Sequence, residues 1–216
     1  MAQDSLNFSF PKKNIRFVDF CAGLSYINSP KINILLQDNN ISPIQKNGLV
    51  AGFSYSPYIG DYFHLSWFSR IQDFHNKDSV TSVDYFEFNT GLVLHEYFNS
   101  TTSCLKNKIG ISPFIGYQVG FSYIDIASKS SSTVSGIFQP DKLSSLYYSK
   151  PLHQVLTGLD IFYKYSDRKG IHYFGLRTMI DLGINNQKWR NIQLPEVRKY
   201  SISASVYWMI GVVPLK

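Results

Sequence analysis

Nowhere does the 216-residue chain carry about 18 consecutive apolar residues, the length a helix needs to cross a bilayer. It has two cysteines, Cys21 and Cys104. Two so placed give neither a disulfide framework nor a metal-ligand spacing, and both are expected to be unpaired. Neither Gly-x-Ser-x-Gly nor His-Glu-x-x-His occurs, so the common hydrolase and metallopeptidase motifs are missing. The net charge is +6, yet the basic residues follow no nucleic-acid-binding motif, and no nucleic-acid partner is expected. They read instead as loop and turn charge. The start, Met-Ala-Gln-Asp-Ser, shows no charged or apolar leader region, so export would require a signal peptide already removed.

What is abundant is aromatic. Fifteen tyrosines and sixteen phenylalanines suit a barrel with interfacial girdles. The mean hydropathy of −0.12 does not oppose this, because only alternate residues of a membrane strand meet lipid.

The clearest pattern runs from Gln154 to Ile184. Val155, Thr157, Leu159, Ile161 and Tyr163 alternate with Gln154, Leu156, Gly158, Asp160, Phe162 and Lys164. After the turn Asp167-Arg168-Lys169-Gly170 the return arm sets Phe174, Leu176, Thr178, Ile180, Leu182 and Ile184 against Gly175, Arg177, Asp181 and Gly183. Period-two alternation over two long arms predicts a β-hairpin. One face is apolar and the other mixes glycine with full charges. Glycines between charges suit a crowded concave surface, so the apolar face is expected to look outward into lipid.

The same alternation predicts further strands near 14–28, 48–57, 61–73, 83–98, 109–124 and 198–212, making eight. Ile32–Leu36 is expected to extend a strand above the membrane, and 74–82 and 125–152 to be loops. Connections after strands one, three, five and seven are mostly the long ones, as in outer-membrane barrels with long extracellular loops and short periplasmic turns. The expected fold is an all-β, eight-stranded, antiparallel up-and-down transmembrane β-barrel over 14–212. Residues 1–13 are expected to form a periplasmic extension and 213–216 a C-terminal tail.

With this pattern the chain resembles small outer-membrane barrels of the OmpA/OmpX type. Its Tyr/Phe/Asn/Lys-rich strands, such as PFIGYQVGFSY over Pro113–Tyr123, are similar to Bacteroidota barrels including the PorT-like group. Such barrels commonly end on an aromatic residue, and this chain departs from them in ending Val213-Pro214-Leu215-Lys216. The resemblance implies the bacterial outer membrane as location and its lipid as partner. Asp4-Ser5-Leu6 and Asp78-Ser79-Val80 resemble O-glycosylation sites of the same bacteria.

Nine ionisable residues fall on the inward parity: Asp19, His64, Arg70, Glu87, His95, Asp160, Lys164, Arg177 and Asp181. Buried charges need partners. Closing the hairpin at 167–170 sets Asp160 opposite Arg177, and Phe162 over Gly175. Arg70 and Glu87 are expected to pair across strands three and four. These luminal ion pairs are expected to plug the barrel, leaving no conducting channel. His64, Ser66 and Glu87 are the nearest approach to a hydrolytic set, but they face the lumen rather than lipid. No enzyme activity and no cofactor is expected.

Function is then expected on surfaces, with Leu35, Leu36, Phe138, Tyr147, Tyr148 and Trp189 as candidate partner-contact loop residues. The leading expectation is a non-enzymatic accessory or structural subunit of a larger outer-membrane complex for protein export, insertion or nutrient uptake. Its partners would be other outer-membrane or periplasmic proteins. The alternatives are a free-standing barrel displaying loops for adhesion or envelope integrity, and a soluble ligand-binding barrel.

Overall fold

The computed structural model describes residues 16–59, 63–78, 81–96, 109–128, 145–166, 171–184, 189 and 200–212. They form β1 (Arg16–Ile27), α1 (Pro30–Asp38), β2 (Asn47–Ile59), β3 (Phe63–Lys77), β4 (Thr81–Glu96), β5 (Ile109–Ser128), β6 (Ser145–Ser166), β7 (Ile171–Gly183) and β8 (Tyr200–Val212). Each strand pairs antiparallel with its sequence neighbours, and β1 pairs with β8 from Arg16↔Val212 to Ile27↔Ser201. The result is a closed eight-stranded barrel. The expected extension 1–13 and tail 213–216 lie outside the described residues.

The register sets the tilt. From Cys21, pairing one way round passes Gly52, Arg70, Asn89 and Gly120 to Leu152 on β6. The other way passes Tyr207 and Gly175 to Phe162 on the same strand. The two routes differ by 162 − 152 = 10 residues, and this stagger inclines the strands so that an eight-stranded sheet can close.

The polarity follows the alternation. Leu24, Leu49, Leu176 and Val206 look outward and are half or more exposed. Hydroxyls on the outer face carry hydrogen bonds. Ser69 Oγ lies 2.7 Å from Thr90 Oγ1, Thr157 Oγ1 donates to the Phe114 carbonyl, and Thr178 Oγ1 donates to that of Leu159. Hydroxyls satisfied in this way suit hydrocarbon. Aromatics gather at both edges of this belt. At the end where β1 starts and β8 stops, Tyr165 stacks on His172 at 4.6 Å, and His172 on Trp208 at 6.2 Å. At the other end Phe86 meets Tyr123, beyond which Asp84 and Asp125 face outward.

Three sequence expectations are corrected here. Ile32–Leu36 is helical rather than strand. Pro30 opens the helix at its first position, where proline is tolerated, and Ile32 and Leu36 share a face one turn apart, both fully buried. Asn40, at φ 56°, turns the chain out of the helix in a conformation asparagine accepts. Residues 74–77 and 81–82 are paired rather than looped, with Phe74↔Tyr85 and Lys77↔Ser82. Likewise 125–128 and 145–152 extend β5 and β6, pairing as far as Ala127↔Ser145. In each case alternate residues that read as loop or loop edge (Phe74, Val83, Ile126) turn inward and bury themselves under α1. The connection 78–80 after β3 is therefore short, and the expected sorting of loop lengths does not hold for it.

The occluded lumen as candidate functional site

Two apolar clusters and two ionic layers fill the barrel. Near the termini, Phe17, Phe68, Val93, Phe114, Phe162, Tyr207 and Met209 form part of the lower cluster. At the far end Ile32 and Leu36 of α1, with Ile41 and Ile44 behind the helix, pack on Ile27, Phe74, Tyr85, Ile124 and Trp189. This upper cluster plugs the mouth. Its helix is tied down from both sides. Asn33 accepts from the Ile44 N–H at 2.8 Å and donates to the Ile44 carbonyl at 3.1 Å. Ser42 donates its N–H to Thr81 Oγ1 at 3.0 Å and its hydroxyl to Asp78, while Asn76 donates to the Pro43 carbonyl. The Asp78 carboxylate, one of the glycosylation-like positions, also accepts the Thr81 N–H at 2.6 Å.

The lower ionic layer centres on Arg177. Its Nε and Nη2 donate to Asp160 at 2.8 and 2.9 Å, and its Nη1 and Nη2 to Asp19 at 3.2 Å. The pairing Asp160↔Arg177 lies in the hairpin register itself. Asp19, from the far side of the barrel closure, is the partner that sequence reasoning missed. Its inward parity was visible, but which charge it would face depends on the stagger. Ser54 donates to Asp19 as well. The guanidinium lies over the Tyr207 ring at 4.7 Å, with Phe68 and Phe114 at 5.5 and 5.7 Å, a cation–π setting strengthened by exclusion of water.

Phe162 does stand opposite Gly175 in register. Its ring, however, lies on the other side, over Gly110 of β5, where a Cβ would fall 2.4 Å from Phe162 Cζ. Gly158 gives the same room to Phe114. Glycines on the concave wall thus let aromatic rings lie flat within a narrow barrel.

Beside this layer His64 stacks on His95 at 4.2 Å. Ser66 Oγ lies 3.1 Å from His95 Nε2, and His95 Nδ1 lies 3.7 Å from Asp160. The order Ser, His, Asp is that of a hydrolytic triad, but the geometry does not serve one. The His95 Nδ1 contact is too long for a hydrogen bond, and Asp160 is committed to Arg177. Ser66 is wholly buried and stands opposite Val93 of the lower apolar cluster. Glu87, the third residue of the expected set, stands apart and accepts from the Tyr85 hydroxyl.

The upper ionic layer corrects one pairing. Arg70 does not meet Glu87. The β3–β4 register puts Arg70 opposite Asn89 and Glu87 opposite Gln72, and the Arg70 side chain crosses the lumen instead. Its Nη2 reaches Asp181 Oδ1 at 2.6 Å and donates to Gln154 Oε1 at 3.2 Å. Asp181 in turn accepts from Ser201 at 2.6 Å. Lys164, the last of the nine inward ionisable residues, is partly buried near the lower end with its ammonium 5.8 Å from the Tyr173 ring centre.

The candidate contact residues divide. Leu36 and Trp189 are buried in the upper plug, which takes them off the exposed surface, while the partly buried Tyr148 packs against it. Loop position had suggested exposure, but the mouth closes on itself. Leu35 is half-buried, and Ile34 is the exposed large apolar residue of α1. Phe138 and the side chain of Tyr147 lie outside the described residues. Cys21 is a free, buried thiol, and Cys104 is likewise outside them.

No protein-family model matches the chain, and no curated protein matches it in sequence. Solved structures do match in shape. Ail, the attachment invasion locus protein of Yersinia pestis, is 8% identical, with 92% of this chain and 98% of that chain covered and a TM-score of 0.50. A major outer membrane protein from Thermus thermophilus is 7% identical, covering 90% and 99%, with a TM-score of 0.49. Neisserial surface protein A is 14% identical, covering 90% and 96%, with a TM-score of 0.46. At such identities the likeness is one of fold, and the fold is that of the small eight-stranded outer-membrane barrels.

Proposed function

We propose that this chain is a non-enzymatic barrel of the bacterial outer membrane that acts through its surfaces, as an accessory or structural subunit of a larger outer-membrane assembly. Such an assembly would serve protein export, insertion or nutrient uptake. The observation that carries this reading is the pairing of an apolar outer belt with a lumen occluded by two apolar clusters and matched charges. Such a barrel offers lipid a matching exterior, and among the described residues its lumen is filled by side chains rather than open to solutes. The reversed polarity also disfavours the soluble ligand-binding barrel, which would keep apolar residues inside. The Tyr/Phe/Asn/Lys-rich strands, similar to Bacteroidota barrels of the PorT-like group, favour a role beside an export machine.

Membrane fractionation tests the location: the protein is expected with the outer membrane, and recovery in the soluble fraction would refute the reading. Native purification in mild detergent tests the role. Stoichiometric co-purifying envelope proteins support the subunit reading. A lone monomer would overturn it in favour of a free-standing barrel displaying its loops for adhesion or envelope integrity.

A further inference from the structure

Around the Arg70–Asp181 pair the lumen holds polar groups that find no hydrogen-bond partner among the described residues. They are Nε and Nη1 of Arg70, Oε1 of Gln72, Oδ1 of Asn89, both amide atoms of Gln118, and the hydroxyls of Ser122 and Ser203. Each of these six residues is 1% exposed or less. The register gathers them. Asn89 stands opposite Arg70, and Gln118 stands opposite Gln154, which already bonds Arg70. Ser203 lies two residues along β8 from Ser201, the donor to Asp181. Below them Leu156, Met179 and Phe68 belong to the lower apolar cluster, and above them Ile27, Phe74 and Tyr85 belong to the plug.

Leaving a buried polar group unpaired costs free energy comparable to a lost hydrogen bond, and so many in one layer call for a common partner. Their chemistry selects it. Arg70 contributes N–H donors only. Gln72 Oε1 and Asn89 Oδ1 are acceptors only, and the Gln118 amide and the serine hydroxyls offer both. An anion would satisfy the donors and repel the acceptors, while the Arg70 charge is already matched by Asp181. A metal cation would do the reverse. Only a small neutral species that both donates and accepts meets the whole set.

We infer that this layer is a closed internal hydration site, holding about two or three resident water molecules at roughly three hydrogen bonds each. The waters join the Arg70–Asp181–Gln154 network to the β4, β5 and β8 walls. The apolar clusters above and below separate them from bulk solvent, so their exchange is slow.

The test uses the full chain folded in detergent micelles and observed by NMR. Water relaxation dispersion is expected to show long-lived internal water, and the Gln118 side-chain amide is expected to show cross-relaxation to water. Gln118→Leu is expected to lower the long-lived water signal by one molecule, about a third to a half of it, while the variant keeps its folded gel mobility. Ser203→Ala, a milder change, is expected to lower it by a smaller fraction should the leucine variant not fold. No water signal in the unsubstituted protein would overturn the inference, as would a signal unchanged in the folded variants. An Arg70 Nε–H resonance that moves saturably with added chloride would overturn it too, by identifying an anion as the occupant.

Discussion

Arg177 directs its N–H groups at two carboxylates and sets its guanidinium carbon over the Tyr207 ring, all out of water. Removing it strands Asp19 and Asp160 as uncompensated buried charges. Arg177→Met is therefore expected to destabilise the barrel by about 3–5 kcal/mol, read from urea unfolding in lipid vesicles, and adding Asp160→Asn is expected to restore part of that loss. The upper layer gives a sharper comparison. A double-mutant cycle on Arg70→Met and Asp181→Asn is expected to show coupling within about 0.5–3 kcal/mol, whereas the cycle with Glu87→Gln is expected to fall below about 0.5 kcal/mol. Equal coupling in both cycles would contradict the observed pairing. What the sequence shows at this scale is parity. Inward placement of Asp19, Arg70, Asp160, Arg177 and Asp181 follows from alternation alone, and Asp160 finds Arg177 because one tight hairpin fixes their register. Asp19 with Arg177, and Arg70 with Asp181, are joined across the lumen by the stagger of the closed sheet. No local pattern records that stagger.

Among the elements, α1 departs furthest from expectation. Its run of apolar residues reads as strand, and the contrary signals are Pro30 and the one-turn spacing of Ile32 and Leu36. Leu36 is fully buried in the plug, so Leu36→Ala is expected to cost about 2–5 kcal/mol. Ile34→Ala, exposed on the same helix, is expected to cost much less; comparable losses in thermal unfolding would show that the helix does not pack on the mouth. The tall ends of β4 and β5 carry a weakness of the opposite kind. Asp84 and Asp125 stand directly across from each other above the belt. Partial burial, then the neighbouring Asp84 charge, push the Asp125 carboxyl above its ordinary range. A raised acid value means that folding favours the protonated form. The penalty is present at pH above the folded pKa and fades as pH falls through it. Asp125→Asn is thus expected to stabilise the protein at neutral pH by up to about 0.5 kcal/mol, given the exposure of the site. The gain is expected to vanish in acid, and a gain that persists there would exclude repulsion as its source. In the sequence these strand ends read as loop because His75, Asn76, Lys77 and Asp78 look like a polar turn, although Phe74 and Val83 flank them with inward parity.

For the molecule as a whole, the inversion of polarity was legible throughout, because it rests on a period-two pattern repeated in every strand. The plug was not. Its parts, Ile27, Leu36, Tyr85, Ile126 and Trp189, come from five separate stretches that meet only once the barrel has closed. With that plug above and the Arg177 cluster below, planar bilayers containing the protein are expected to show no stable single-channel steps, and steps that survive repurification would contradict the occluded lumen.

Closure between β1 and β8 carries a consequence for biogenesis. Strand β8 supplies both the partner for β1 and the partner for β7. Until residues 200–212 arrive, the nascent sheet presents two unsatisfied edges, and these are the surfaces along which chains associate wrongly. A chain that stops short of Tyr200 is therefore expected to leave both edges open to wrong association.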